Sequence, residues 1–415
     1  MKRTNTVIIG AGQAGLAMSR YLNDWGIDHV VLERGRIAER WRSERWDSLR
    51  LLTPNWQARL PGFRYTGDDP DGYMTMAQTV GYLERYAAVS AAPVQDQTTV
   101  LAVDHACFGF RVTTDQGVWQ AANVVIATGY CDVPSKPAFA SGLAPSIHQL
   151  APTQYRRPSE LPPGGVLVVG ASASGVQLAD ELAQAGRDVS LAVGRHTRLP
   201  RVYRERDIMW WFENLGVLNE TTEAVYDLAQ AKRQPSLQLV GRPERSSLDL
   251  QVLQDRGVRL LGRATGIDGT AVGFAGDLTE TTQRADHKLA RLLDSVDRHI
   301  AAWDLDKHLP SGQRPAPVAA QAAATTLDLA DEGIGTVLWA TGFTRRYPWL
   351  NVSACDRRGE IVHSGGVTNV PGLYVLGLQL MRSRKSSFID GVGDDARALA
   401  NHIGSRLVGS YANAA

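Results

Sequence analysis

The chain has 415 residues, with 44 Lys and Arg against 43 Asp and Glu. Near-neutrality removes any sequence-independent attraction to a polyanion, which disfavours nucleic acid and anionic membrane as partners, and 44% hydrophobic with 21% charged residues excludes a disordered or fibrous chain. The length suits more than one domain, and the excess is in glycine, at 40 residues in clusters, so the question becomes where tight backbone turns are needed.

Val7-Ile8-Ile9, a glycine turn, a helix bearing Leu16, Ala17, Tyr21 and Leu22, and Val30-Val31-Leu32 ending in Glu33 predict a βαβ unit over residues 5–35. The same pattern reads Met1-Lys2-Arg3 and its apolar run as a strand start, not as a leader. Residues 36–70 are expected to form a loop-rich excursion. A helix is predicted near 76–90, then antiparallel strands at 99–104, 108–113 and 118–120, and a separate buried strand at Val124-Val125-Ile126-Ala127. The proline-rich stretch 132–164 reads as a domain crossing. A second βαβ unit follows, with Val166 to Val169, a turn at Gly170, a helix through Val176, Leu178, Ala179 and Leu182, and a strand from Val189 to Val193. Trp210-Trp211-Phe212 suit a helix that is either core or the lining of a substrate tunnel. Residues 280–303 form an amphipathic helix, Thr336-Val337-Leu338-Trp339 and Gly372 to Gly377 are buried strands, and the last helix spans 393–408.

Gly10-Ala11-Gly12-Gln13-Ala14-Gly15 fits G-x-G-x-x-G. The first glycine permits the turn, the second lets backbone approach a pyrophosphate, and the third lets helix pack on strand. Glu33, at the end of the next strand with Arg34 beside it, is placed to accept hydrogen bonds from the ribose hydroxyls of an adenosine. Gly170-Ala171-Ser172-Ala173-Ser174-Gly175 repeats the turn with Ser172 at the middle position, and Val193 leads to Gly194-Arg195-His196 with no acid. An acid there would repel a 2′-phosphate whereas Arg195 pairs with it, so the second site reads as one for NADPH; a solvated arginine face is the competing reading, because Arg201, Arg204 and Arg206 come next. Ala127-Thr128-Gly129 and Ala340-Thr341-Gly342 rhyme as strand ends suited to a crossing between domains. After Gly377, the segment Asp390-Gly391-Val392-Gly393-Asp394-Asp395 opens a helix whose N-terminus could stabilise negative charge on a reduced flavin.

Cys107, Cys131 and Cys355 show no C-x-x-C, which excludes a disulfide framework and a dithiol of neighbouring cysteines and predicts a reducing, cytoplasmic compartment. No apolar stretch approaches ~18 residues, so no membrane span is expected. His105, His148 and His196 lack ligand spacing and no metal is assigned.

These motifs resemble the class B flavoprotein monooxygenases, which include the flavin-containing monooxygenases, the plant indole-pyruvate enzymes and the Baeyer–Villiger enzymes, and among them the bacterial branch often labelled as flavoproteins of K⁺ transport. The resemblance implies an α/β fold class with two dinucleotide-binding, Rossmann-like domains, the NADPH domain (151–335) inserted into the FAD domain (1–150 and 336–415). It implies FAD and NADPH as cofactors and a small organic substrate oxygenated with O₂ through a C4a-(hydro)peroxyflavin, in a monomer or homodimer. It further implies that Trp41, the run Leu49-Arg50-Leu51-Leu52-Thr53-Pro54, Gly377, Asp390 and Gly393 lie on the flavin side, and it makes Asn55 a candidate catalytic residue, with turn capping as the alternative. One departure stands out. The family fingerprint F-x-G-x-x-x-H followed by an aromatic is loosened here to Phe139, Gly142, His148 and Tyr155, with Ala151 where the histidine is expected. That keeps two alternatives open: an NADPH-dependent flavin reductase or oxidase using a quinone-like acceptor or O₂, and a non-catalytic nucleotide-sensing flavoprotein.

Overall fold

The computed structural model describes residues 1–412 apart from 306, 308 and 320–322. Strand β1 (Lys2–Ile9), helix α1 (Gln13–Asp24) and β2 (His29–Leu32) form the first βαβ unit. Helix α2 (Met76–Val89), closed at its start by a Thr75/Gln78 capping box, leads to β3 (Val94–Gln95), β4 (Val100–Ala106), β5 (Gly109–Thr114) and β6 (Gly117–Ile126). Then β7 (His148–Leu150) precedes the second unit, β8 (Gly165–Val169), α3 (Ala173–Gln184) and β9 (Val189–Ala192). Further on lie α4 (Ile208–Asn214), β10 (Arg259–Leu261), β11 (Ala264–Asp268), β12 (Ala271–Phe274), α5 (Leu278–Ala302), β13 (Thr326–Asp328) and β14 (Ile334–Trp339). The last elements are β15 (His363–Ser364), β16 (Val367–Thr368), β17 (Leu373–Val375) and α6 (Val392–Ala412).

Two parallel-centred sheets organise these elements. The first has the order β15-β16-β17-β6-β1-β2-β3, with β5 and β4 continuing from β6; the second has the order β7-β14-β8-β9-β10. Short, wholly apolar runs form the central strands because both faces are covered: Val7, Ile8, Val124 and Val125 in the first sheet and Val166, Leu167, Val168, Val337 and Leu338 in the second are all fully buried. Each such side chain contributes roughly 1.5–3 kcal/mol of burial. The expected pair of segments at 118–120 and 124–127 is one strand: β6 pairs antiparallel with β5 through Val118 and Trp119 and parallel with β1 as far as Ile126.

The domain boundaries shift from the expected 150/151 and 335/336. His148–Leu150 and Ile334–Trp339 are both strands of the second sheet, and the two chain crossings lie side by side, Phe343 opposite Pro134 and Thr344 opposite Val133. By sheet membership the inserted domain runs from about 135 to 342. Four apolar clusters follow this division, one for the first sheet, two for the faces of the second, and one where α4 packs under α5. Trp211 and Phe212 belong to that last core, with Trp210 at its margin.

Candidate dinucleotide sites

Parallel pairing of β1 with β6 brings Ile9 beside Ile126 and so sets Gly10 against Ala127. Gly10 has φ +108°, and a Cβ there would lie 2.7 Å from the Ala127 carbonyl oxygen; a Cβ on Gly15 would run into the carbonyl of Gly10. Both positions therefore require glycine. Gly12 differs, since a Cβ there would meet nothing within 4 Å. It is the N-cap of α1, in extended conformation, without a side-chain cap and with no acid in the first turn, so the first helical N–H groups face open space. Glu33, nearly buried, holds the loop: Oε2 accepts from Ala11 N–H at 2.8 Å and Oε1 from Gly35 N–H at 3.0 Å.

A cleft of about 290 Å³ extends from this turn, lined by Gly12, Gln13, Ala14, Glu33, Arg34, Trp41, Ala127, Thr128, Gly129 and Gly377 of the expected residues. Trp41 Nε1 donates to Gln13 Oε1 at 3.4 Å, and Gln13 Nε2 donates to the Ser387 carbonyl at 3.4 Å, which draws three distant segments to one wall. A Cβ on Gly377 would press on Ala14 Cβ at 2.8 Å. The cleft also takes in Arg40, Arg45, Cys131, Arg346 and Trp349, which sequence reasoning did not assign as ligands. Arg40 is paired with Asp132 and with the Cys131 carbonyl, and the Arg45 guanidinium lies 5.4 Å from the Trp41 ring centre. Burial raises the Cys131 thiol above its ordinary pKa.

Arg50, Leu51, Thr53, Asn55, Asp390 and Gly393 are not among the residues of this cleft. Arg50 Nη1 donates to the Tyr73 carbonyl at 3.0 Å, and Leu51 N–H donates to the Met74 carbonyl at 2.9 Å. Asn55 is buried in a short 3₁₀ turn; its Nδ2 donates to the Asp69 carbonyl at 2.8 Å, while Oδ1 has no partner among the described residues. The structure thus gives Asn55 a contact that braces the 50–75 loop. Asp390 pairs with Arg59 at 2.6 Å and Lys385 at 3.6 Å, and a Cβ on Gly393 would be 3.1 Å from Pro61 Cγ. Together these residues fasten the 50–61 loop to the start of α6, beside the cleft wall. Asp395, buried in the first turn of α6, has its carboxyl pushed up to about 6 by burial, with Ser386 and Arg382 opposing.

The second sheet repeats the first turn. Val169 pairs with Trp339, so Gly170 faces Ala340 as Gly10 faces Ala127. Gly170 has φ +106°, its Cβ would run into the Ala340 carbonyl, and a Cβ on Gly175 would run into that of Gly170. Ser172 is the extended N-cap of α3, again with no side-chain cap and no acid in the first turn, and Ser174 stands half-exposed behind it. Gly342 continues the crossing at φ +91°, its carbonyl accepting from Ser135 N–H at 2.9 Å, and the Thr341 hydroxyl donates to the Ser135 carbonyl. Arg195 is exposed just past β9. His196 is buried with Nδ1 3.0 Å from the Gly194 carbonyl, and burial lowers its pKa; a neutral imidazole turned to its own backbone adds no charge for a phosphate.

Of the arginines farther along the chain, Arg198 and Arg201 are buried, Arg204 is half-buried against Asp297, and Arg206 is exposed over the Trp210 ring. Arg198 is buried between Asp249 and Asp286, at 2.7 and 2.5 Å. Arg201, fully buried, pairs with Asp207, donates to the Leu52 carbonyl at 2.7 Å, and lies 4.9 Å from the Tyr73 ring centre. Tyr73 in turn donates to Asp207 Oδ2 at 2.6 Å. Of this group Arg195 and Arg206 are exposed, and Arg195 is the one that directly follows β9. In the loosened fingerprint, Phe139 packs on Trp339 at 6.2 Å between ring centres, Ala151 and Tyr155 are buried, and His148 is exposed on β7.

Comparison with known proteins places this geometry. A family model described as pyridine nucleotide-disulphide oxidoreductase matches residues 7–211. A CzcO-like oxidoreductase of Geobacillus kaustophilus is 33% identical over 402 residues, covering 96% of this chain and 98% of the relative. The chain belongs to the CzcO-like oxidoreductases. The indole-3-pyruvate monooxygenase YUCCA1 of Oryza sativa subsp. japonica is 33% identical over 196 residues, 45% of this chain and 47% of that protein. A flavin-containing monooxygenase from Stenotrophomonas maltophilia shares the fold, with TM-score 0.67, 21% identity, and coverage of 98% and 100%. The family is one of FAD-dependent NADPH oxidoreductases, and the two uncapped glycine-turn helix starts fit its two dinucleotides. Cys107, Cys131 and Cys355 are free, and no two of them stand at C-x-x-C spacing.

Proposed function

We propose that the chain is an NADPH-dependent FAD monooxygenase that oxygenates a small organic substrate with O₂. The observation that carries this reading is the duplicated turn, one copy followed by a carboxylate and the other by an exposed guanidinium. Gly10, Gly12, Gly15 and Glu33 would hold FAD at its adenosine and pyrophosphate, with Trp41, Gln13 and Gly377 forming the wall; Gly170, Ser172, Gly175 and Arg195 would hold NADPH at its pyrophosphate and 2′-phosphate. Bound FAD supplies acceptance of reducing equivalents from NADPH and activation of O₂. The protein's own residues bind and orient: helix starts and backbone N–H groups meet phosphate, Glu33 meets ribose, and the buried 50–61 loop keeps water from one side.

Support comes from the monooxygenase names of the rice relative and of the Stenotrophomonas neighbour. Reduced, FAD-loaded protein mixed rapidly with O₂ should show a transient flavin absorbance distinct from both the reduced and the oxidised cofactor. The loosened fingerprint, with His148 exposed, favours a second reading as an NADPH-dependent reductase or oxidase. Direct return to oxidised flavin with stoichiometric hydrogen peroxide and rapid quinone turnover would establish that second reading, and failure of NADPH to reduce the flavin would sink both.

A further inference from the structure

Helix α5 carries Asp286, Asp294 and Asp297, and each is committed to a partner off the helix. Asp286 binds Arg198 at 2.5 Å and the Val318 N–H at 3.0 Å; Asp294 binds Arg314 at 2.7 Å; Asp297 binds Arg204 at 2.9 Å and Arg314 at 2.6 Å. Another face of the same helix presents Arg284, His287, Lys288 and Arg291, at the i, i+3, i+4, i+7 spacing that aligns side chains. Arg284 pairs only with the exposed Glu280. Lys288 and Arg291 have no carboxylate within ion-pair distance among the described residues. Lys288 is half-buried, its Nζ donating to the neutral Thr197 hydroxyl at 3.1 Å, and burial, then Arg384 and Arg291, hold its pKa below the usual lysine range. Stacked like charges destabilise a helix by a few tenths of a kcal/mol per pair, and a half-buried ammonium without a counter-ion adds to that cost. These four side chains and Ala290 border an open, shallow stretch of surface.

We propose that this face of α5 is a binding site for a small-molecule oxyanion, a carboxylate or a phosphate, with Lys288 and Arg291 as its ligands. Seven residues of helix span only ~10 Å, room for one or two such groups and too little for a polyanion track. Thr197 lies two residues beyond Arg195, so the oxyanion belongs either to NADPH, reaching past Arg195, or to a separate acidic ligand. The site stands whether or not the enzyme oxygenates.

The test uses FAD-loaded wild type and the Lys288→Gln/Arg291→Gln double variant, with inorganic phosphate as probe against sodium chloride of equal ionic strength. Phosphate should raise the wild-type Tm by mass action and leave that of the variant unmoved, while without phosphate the variant melts no lower than wild type. KM for coenzyme oxidation separates the sources: about 100-fold or more higher for NADPH with NADH unchanged assigns the site to the coenzyme, two charge-assisted contacts being lost, whereas unchanged values for both with the phosphate effect abolished assign it to a separate ligand. Equal phosphate response in both proteins with unchanged KM values overturns the proposal, as does a variant that melts lower without phosphate, since that marks a structural role.

Discussion

The two glycine turns are nearly superimposable in logic and opposite in charge. Gly10 and Gly170 both have strongly positive φ and both lie against the carbonyl of the alanine that ends the neighbouring strand; Gly15 and Gly175 both lie on the carbonyl of the turn's first glycine. The contrast lies at the end of the second strand of each unit: the first turn is clasped by Glu33 through two backbone N–H groups, whereas the second strand of the other unit is followed by the exposed Arg195. On the proposed function, the comparison teaches that the turn would set the approach of a pyrophosphate while the end of the next strand would set which ribose is accepted. It also teaches that the first loop is stiff before ligand arrives.

The sharpest way to break the comparison is to put a methyl group on one turn at a time. Gly15→Ala should yield protein that no longer retains FAD, and Gly175→Ala protein that keeps its yellow colour yet is not reduced by NADPH; a backbone overlap of this kind costs on the order of 3 kcal/mol or more. Retention of FAD by Gly15→Ala would show that the repeat is not a functional one. Next in size, Arg195→Ala should raise KM for NADPH about 10- to 100-fold and leave that for NADH within twofold, the loss expected of one charge-assisted phosphate contact. Equal rises for both coenzymes would remove the 2′-phosphate assignment. Glu33→Gln should weaken FAD binding about tenfold, near 1.4 kcal/mol, read by equilibrium titration of the apoprotein. No effect would mean that the loop, not the ribose, is all that Glu33 serves.

A pH-dependent effect concerns an acid in the first turn of α6, where the first turn of α3 has none. The Asp395 carboxyl is raised to about 6 from an ordinary 3.8, so the unfolded chain loses this proton first. Its penalty is absent below about pH 4, grows through the interval between the two values, and is complete above about pH 6. Asp395→Asn should therefore raise stability at pH 8, by at most about 3 kcal/mol for a rise from 3.8 to about 6 and by less where the amide loses contact with Ser386 and Arg382, and change it little at pH 4, measured by urea unfolding. A loss at pH 8 would show that the carboxylate is needed ionised.

Both βαβ units could be read from the chain because their signals are local: apolar runs of four or five residues, a glycine turn, and a helix with buried Leu16 and Ala17 or Leu178 and Ala179 on one side. Where the signal is not local, reading failed. Ile334–Trp339 has the same apolar pattern whichever sheet takes it, and only its pairing with β8 assigns it to the inserted domain. Likewise the partners of Arg198 and Arg201, Asp249, Asp286 and the Leu52 carbonyl, stand 51, 88 and 149 residues away, beyond any spacing rule. Arg346 and Trp349 reach the cleft through the crossing at 343–344, which carries no motif. By contrast Gln13 was legible because it sits in the glycine turn, while Trp41 and Gly377 were placed by the family resemblance alone.

Arg201 has a mechanical consequence. With no exposed surface, it joins Asp207 of the inserted domain to the Leu52 carbonyl of the other, and Tyr73 closes the triangle on Asp207. Prising the domains apart on this side would strand a buried charge, at a cost of about 3–5 kcal/mol. The segments that carry Leu52 and Tyr73 are thus riveted to the one that carries Arg201 and Asp207, and separation of the halves on this side is opposed by that buried charge.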